Sequence, residues 1–324
     1  MRALLIVNPF ATSTTDAGRD ALAHTLSARC DLTVELTTHR GHAGEIAAGA
    51  AGRGFEVVIV HGGDGTVNEV VNGLIGPPGS AHGDVAVDGV PALAVVPGGS
   101  ANVFARSLGI LPDPLQATGQ LITLLSVRAR RRISLGHVDD RWYLFNAGMG
   151  VDAEVVHSIE DQRRAGKPAS DARYIVTTVA HFLKGSRRQP RLTVSTPAPD
   201  GGRRVVEDVQ FVFVSNANPW TFIGDRPVWT NPDTDFDTGL GLFAARSMKV
   251  RKILPLAAQL LLGIAPRVGH LVRDDDVASV RIEASEPTDL QMDGDYIGER
   301  TLAEFGCVPD RLEVVAPPLD SGSR

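Results

Sequence analysis

The chain has only two cysteines in 324 residues, Cys30 and Cys307, far apart and with no CxxC or Cys/His spacing. That scarcity excludes a disulfide framework and a structural zinc site, and it suits a reducing cytosol, where the protein is expected to work. Positive charge is not in excess either: the net charge is −6 and the pI is near 5.8. A protein whose main partner is a nucleic-acid backbone is normally basic, so no nucleic acid is expected as partner. An anionic membrane could be engaged only through a local basic patch. Long apolar runs are missing as well. The longest stretch, Ile253 to Ala265, is interrupted by Pro255 and Gln259 and is too short to span a bilayer. The opening run Ala3–Val7 stops at Asn8-Pro9, so no signal peptide is expected. No GxxxxGK[ST] occurs anywhere, which excludes a P-loop NTPase, and no GxGxxG follows the first apolar run, which counts against a dinucleotide-dependent dehydrogenase. There is no internal repeat.

What is present is ordinary globular composition, 43% hydrophobic and 22% charged, on a chain longer than one compact core usually serves. Two domains are expected, over residues 1–132 and 133–316, with 317–324 as a disordered tail. In the first, apolar runs at 3–7, 33–36, 56–60 and 92–96 alternate with helical spacing at 16–29, 42–51, 67–74 and 103–108. Such alternation predicts an open α/β sheet. After about residue 130 the texture changes to short β-type runs at 133–138, 142–145, 191–195, 205–214, 240–245, 277–283 and 312–315. Gly, Pro and Asp turns separate them, and helices are expected near 170–184 and 250–264. This pattern predicts a mainly antiparallel, sandwich-like second domain.

Two glycine-rich loops fall where an open α/β sheet binds its ligands, beyond the carboxyl ends of strands. The first is Gly62-Gly63-Asp64-Gly65-Thr66, leading into a helix that begins with Val67, Asn68 and Glu69; the second is Pro97-Gly98-Gly99-Ser100-Ala101-Asn102. Glycines let main-chain N–H groups approach phosphate oxygens, and a helix N-terminus adds partial positive charge. An Asp inside such a loop implies Mg²⁺ between carboxylate and phosphate, or a role in proton transfer. Two tight strand-to-helix turns are the bland alternative, and the pairing of the loops on neighbouring strands argues against it.

In order along the chain, Asn8-Pro9, Thr38-x-x-Gly41-His42-Ala43, Gly62 to Glu69 and Pro97 to Asn102 resemble the diacylglycerol kinase catalytic domain family. Phe145 to Asp152, Val214-Ser-Asn-Ala217 and Gln291-Met-Asp-Gly-Asp295 extend the resemblance over nearly the whole chain. The family takes in bacterial soluble diacylglycerol kinases, YegS-like lipid kinases, and sphingosine and ceramide kinases. The resemblance implies an N-terminal domain similar to NAD kinase and phosphofructokinase, a β-rich lipid-binding domain, and catalysis in an interdomain cleft. It implies ATP and Mg²⁺ as cofactors. Thr38, Gly62, Gly63, Asp64, Gly65, Thr66, Val67, Asn68, Gly99, Ser100 and Asn102 match ATP-binding positions. Asp293 matches the acid proposed as general base in the family, and Asp295 stands where a second acid, usually Glu, is found. The family's structural Mg²⁺ site has an Asp-Gly pair where this chain reads Thr238-Gly239, so Asp235, Asp237 and Leu240 are the remaining candidates for it.

Phosphoryl transfer asks mostly for positioning and charge stabilisation, with a carboxylate near the hydroxyl proton. Asp293 is the first choice for that base, on a turn after the strand-like run 288–292, where an exposed acid can face a cleft. Asp64 is the second. A plain Asp-Gly hairpin turn is the bland reading of Asp293. The expected activity is transfer of the ATP γ-phosphate to a hydroxyl of diacylglycerol or a similar lipid at a membrane surface, by a transiently attached cytoplasmic protein that could be a homodimer. Arg251, Lys252 and Arg267 flank an apolar helix that could lie in a bilayer interface, or equally be core. The cluster Arg128 to Arg132 reads as a solvated linker face. Phe211, Phe213, Trp220 and Phe222 could line an acyl-chain pocket, though aromatics at alternate strand positions are usually core. An NAD kinase, which shares the Gly-Gly-Asp-Gly-Thr loop, and a catalytically silent sensor are the alternatives.

Overall fold

A computed structural model describes residues 1–79, 89–150 and 191–318. The helix expected near 170–184, Val151 and Asp152, and the tail from residue 319 lie outside them. The chain forms two compact units, Met1–Leu135 with Asp140–Trp142 and Pro309–Arg324, and Gly136–Asp139 with Tyr143–Val308. The units are thus not two consecutive stretches: the C-terminal segment returns to the first.

In the first unit, β1 (Arg2–Val7), β2 (Asp31–Leu36), β3 (Val57–Gly62) and β4 (Ala92–Pro97) form a parallel sheet in the order β4-β3-β1-β2. The strands β3 and β4 are buried along their whole length, as expected of apolar runs covered on both faces. Helix α1 (Asp16–Ser27) is capped by the Thr15 side chain, which accepts from Gly18 N–H. Helices α2 (His42–Ala48) and α3 (Asp64–Ile75) pack at glycines. A Cβ at Gly44 would stand 2.9 Å from the Glu69 carbonyl oxygen, and one at Gly73 would overlap the Gly44 carbonyl. A short α4 (Val103–Ser107) follows the second glycine loop. The sequence reading missed α5 (Pro114–Ser126), although its start carries both helix signals: Asp113 accepts from Gln116 N–H, and Pro114 occupies the first turn.

The strand β5 (Arg131–Val138) runs from the first unit into the second, β6 (Arg141–Tyr143) has Arg141 and Trp142 in the first, and β7 (Asn146–Gly150) belongs to the second. The strands β8 (Leu192–Pro197), β9 (Arg203–Val209), β10 (Phe211–Ser215), β13 (Leu240–Ala245), β14 (Leu271–Val277), β15 (Ser279–Met292) and β16 (Asp295–Val314) build an antiparallel sheet, in which β14-β13-β10-β7-β15-β16 is the main path. A small hairpin, β11 (Thr221–Ile223) with β12 (Arg226–Val228), stands apart. The tip of β16 pairs parallel with β4 through Val314 and Leu93, inside the first unit. Side chains alternate along β10. Val212 and Val214 join a large core with Leu240, Leu242, Ile282 and Phe305, while Phe211 and Phe213 face the other way. There they meet Phe243 and α6 (Val250–Leu261). Phe211, Phe213 and Trp220 therefore pack as core under α6, the ordinary reading of such aromatics.

Candidate active site

The loops after β1, β3 and β4 are tied together. Asn8 Nδ2 donates to Thr66 Oγ1 at 3.0 Å, Asn8 N–H to the His61 carbonyl at 3.0 Å, and Ser13 N–H to the Gly98 carbonyl at 2.8 Å. His61, at the end of β3, lies 3.2 Å through Nδ1 from the Val96 carbonyl and 3.3 Å through Nε2 from Thr14 Oγ1. A carbonyl can only accept, so Nδ1 carries the proton and Nε2 accepts from the threonine. Burial holds this imidazole below its ordinary range, in the neutral form.

The glycines of the two loops face each other. A Cβ at Gly99 would stand 2.7 Å from Gly63 Cα, and one at Gly98 3.0 Å from Gly62 Cα. Their first physical role is to let two strand-to-helix turns touch, which no side chain would permit. Asp64 locks the same contact. Its Oδ2 accepts from Val103 N–H and its Oδ1 from Phe104 N–H, both at 3.0 Å, so the acid of the first loop caps the helix behind the second. Asn102 closes its own loop, accepting from Gly99 N–H and donating to Gly99 O at 2.8 Å each, with its backbone left-handed at φ 48°. Ser100 is exposed at the tip.

No side chain caps the N-terminus of α3, whereas α1 and α5 each have one. The first helical turn is thereby available to an anion, with Gly65 and Thr66 on it. Val67 lies one step too far along: its N–H already bonds the Gly63 carbonyl at 3.1 Å, and its side chain is core. Asn68 is buried, donates to the Trp142 carbonyl at 3.0 Å, and accepts from Arg141 and Asn72 at 3.2 Å each. Both residues hold the helix in place and offer nothing at its mouth. Thr38, beyond β2, is exposed. Its N–H donates to His42 Nδ1 at 3.1 Å, and its hydroxyl lies 3.0 Å from His39 Nδ1. Glu69 Oε1 accepts from Gly41 N–H at 2.8 Å and sets the entry of α2.

The second unit holds Asp293. It is 6% exposed, not the open acid that its turn position suggested. With φ of 50° and 82°, Asp293 and Gly294 make the two-residue turn of the β15–β16 hairpin, closed by the Met292–Asp295 pair. The side chain turns inward. Its Oδ2 accepts from Leu144 N–H at 2.7 Å, and its Oδ1 from Phe145 N–H at 3.0 Å and Asn146 N–H at 3.2 Å. This is why the apolar run 142–145 is not one strand: the carboxylate takes N–H groups that a ladder would otherwise use. Gln291 and Asn146 extend the network at 3.1 Å, and Asn216 Nδ2 donates to the Leu144 carbonyl at 3.0 Å. Asp295 is half-buried at the start of β16.

The candidate groups fit Mg²⁺ unequally. An ion carried in with nucleotide phosphates needs only one or two protein carboxylates. Asp64 is the carboxylate that the two glycine loops supply. The turn around Asp235 does not build a second site. Asp235 and Asp237 are exposed, and Asp235 Oδ1 accepts from Asp237 N–H at 2.8 Å. Gly239 N–H is bonded to Asp276 Oδ1 at 2.7 Å, and a Cβ there would meet that same oxygen. Among the described residues, no group of three or more His, Cys, Asp or Glu side chains is placed to hold a metal ion.

A parallel α/β unit with paired glycine loops, joined to an antiparallel β unit, is a known architecture. A diacylglycerol kinase of Bacillus anthracis superposes with a TM-score of 0.69 at 20% identity, covering 98% of this chain and 97% of that one. In sequence, the chain is 28% identical over 323 residues to the diacylglycerol kinase of Bacillus subtilis, covering 98% of this chain and 96% of that protein. It is 26% identical over 306 residues to a Stenotrophomonas maltophilia protein named "probable lipid kinase YegS-like", covering 93% and 92%. Residues 2–137 match the diacylglycerol kinase catalytic domain.

Proposed function

We propose that this chain is an ATP-dependent lipid kinase that transfers the γ-phosphoryl group to a hydroxyl of diacylglycerol or a similar lipid, giving phosphatidic acid in the first case. The observation that carries the reading is the Gly63–Gly99 contact beside the uncapped N-terminus of α3, in a chain whose full-length relatives are named diacylglycerol kinase. N–H groups of the first turn of α3 are offered to the phosphates, and Thr38 and Ser100 supply exposed hydroxyls from the neighbouring loops. Mg²⁺, when bound, offsets the phosphate charge, with Asp64 as its protein ligand. Asp293 is the acid we assign to the hydroxyl proton. It is the acid of the β15–β16 turn, where a carboxylate within reach of a hydroxyl serves as general base.

The test is transfer of labelled phosphate from ATP to a panel of lipids in mixed micelles, with and without Mg²⁺. Labelled phosphatidic acid is expected. A different labelled lipid keeps the chemistry and changes the substrate, whereas label in NAD, or in no acceptor despite bound ATP, overturns the reading.

A further inference from the structure

Helix α6 is apolar on two sides, and only one of them is covered. Ile253, Leu256 and Leu260, at helical spacing, pack on Phe211, Phe213 and Phe243 of the sheet. The other side carries Leu254 and Leu261, 63% and 54% exposed, and continues through Leu262 and Ile264, 66% and 54% exposed. Four large aliphatic side chains in contact with water on one short stretch call for a partner.

The charge around them says which. From Arg246 to Arg273 there is no Asp or Glu, while Lys249, Arg251, Lys252 and Arg267 stand on or beside α6 in a chain of net charge −6. None of these four makes an ion pair among the described residues, and Lys249, Arg251 and Arg267 are exposed. An uncompensated cationic rim around an apolar ridge fits a surface that is both apolar beneath and anionic above. A second copy of the chain fits poorly, because a two-fold pairing through this face would set the same cations against each other.

We propose that the exposed face of α6 and the following residues 262–267 dock the protein on an anionic bilayer, with Leu254, Leu261, Leu262 and Ile264 entering the interface and Lys249, Arg251 and Arg267 meeting lipid phosphates. The remainder of the acidic surface is repelled by the same membrane, so the patch also sets which side of the molecule faces it. The inference deepens the lipid-kinase reading by naming how a protein without a spanning helix among its described residues reaches a membrane-embedded substrate.

The experiment is co-sedimentation of the full chain with vesicles of phosphatidylcholine and phosphatidylglycerol, and with phosphatidylcholine alone, alongside turnover on water-soluble dihexanoylglycerol. The wild type is expected to bind the anionic vesicles. Both Leu254→Ser/Leu261→Ser and Arg251→Glu/Arg267→Glu are expected to lose about tenfold or more in vesicle affinity, with unchanged melting temperature and unchanged dihexanoylglycerol turnover. Variants that bind vesicles as well as wild type overturn the docking surface. So does a change of oligomeric mass in the variants by light scattering, which would assign this face to a second copy. Vesicle binding lost in the variants, without phosphorylation of dihexanoylglycerol by the wild type, keeps the docking surface and removes diacylglycerol as the substrate. Phosphorylation of that substrate by a wild type that ignores anionic vesicles does the reverse.

Discussion

Gly63 and Gly99 stand so close that a Cβ on Gly99 would lie 2.7 Å from Gly63 Cα. The contact joins the turn after β3 to the turn after β4, and it places two glycine-rich segments side by side at the carboxyl edge of the sheet. A methyl group between them must push backbone against backbone, and neither strand can yield without breaking its ladder. Gly99→Ala is therefore expected to cost about 1–3 kcal/mol of stability and to weaken ATP binding at the same time. Urea denaturation and calorimetry with ATP check the two effects together; an unshifted midpoint would mean that the loops separate readily.

Asp64 offers a way to separate a cap from a metal ligand. Asp64→Ala removes the acceptor of two N–H groups on α4 and is expected to cost about 0.5–2 kcal/mol. Asp64→Asn keeps one acceptor oxygen and should recover part of that stability. A carboxylate that also binds Mg²⁺ predicts that the Asn variant still loses Mg²⁺-dependent ATP binding. Full Mg²⁺ dependence in that variant would leave the residue with the cap alone.

Asp293 is held by three backbone N–H groups, so its loss is felt in the fold as well as in the chemistry. Asp293→Ala orphans the N–H groups of Leu144, Phe145 and Asn146 and is expected to destabilise by on the order of 3 kcal/mol or more. Asp293→Asn should retain fewer of these bonds and fall between. If the residue also receives the substrate proton, the Asn variant, under conditions where it is fully folded by circular dichroism, still loses most turnover while keeping ATP affinity. Turnover restored in step with folding would leave Asp293 an anchor only.

Three histidines, His61, His137 and His270, are all held below the ordinary imidazole value of 6.5, with burial as the first cause in each. The unfolded chain therefore takes up protons at a higher pH than the folded one does. The resulting stability is present above about pH 6.5 and is lost as pH falls toward the lower folded values. The urea midpoint is expected to drop between about pH 7.5 and about pH 5.5, and His61→Gln, which relieves one of the three, should flatten that slope. Equal midpoints at the two pH values would contradict the buried neutral forms.

Much of the first unit could be read before any coordinates. The strands β1, β3 and β4 follow apolar runs, and the helices after β3 and β4 start at glycine-rich turns. Boundaries shifted where a tertiary bond intervened. The run 205–214 divides at Gln210, whose N–H bonds the Ala245 carbonyl, and the run 142–145 divides where Asp293 takes its N–H groups. Helix α5 escaped notice because Ala117 and Thr118 dilute its apolar face, even though Asp113-Pro114 marks its start.

The sequence alone determined that Gly62–Thr66 and Pro97–Asn102 are strand-end loops entering helices, because hydrophobic periodicity and turn chemistry are local properties. It also carried the motif order on which the family resemblance rests. Only the tertiary structure decided what the residues in those motifs do. Asn68 faces Trp142 rather than the loop mouth, Asp64 reaches forward to α4, and Asp293 reaches back to Leu144. The physical reason is that each of these bonds joins residues far apart in the chain. Such bonds form only once strand order has set the two backbones side by side, and the strand order is encoded in no single stretch of the sequence.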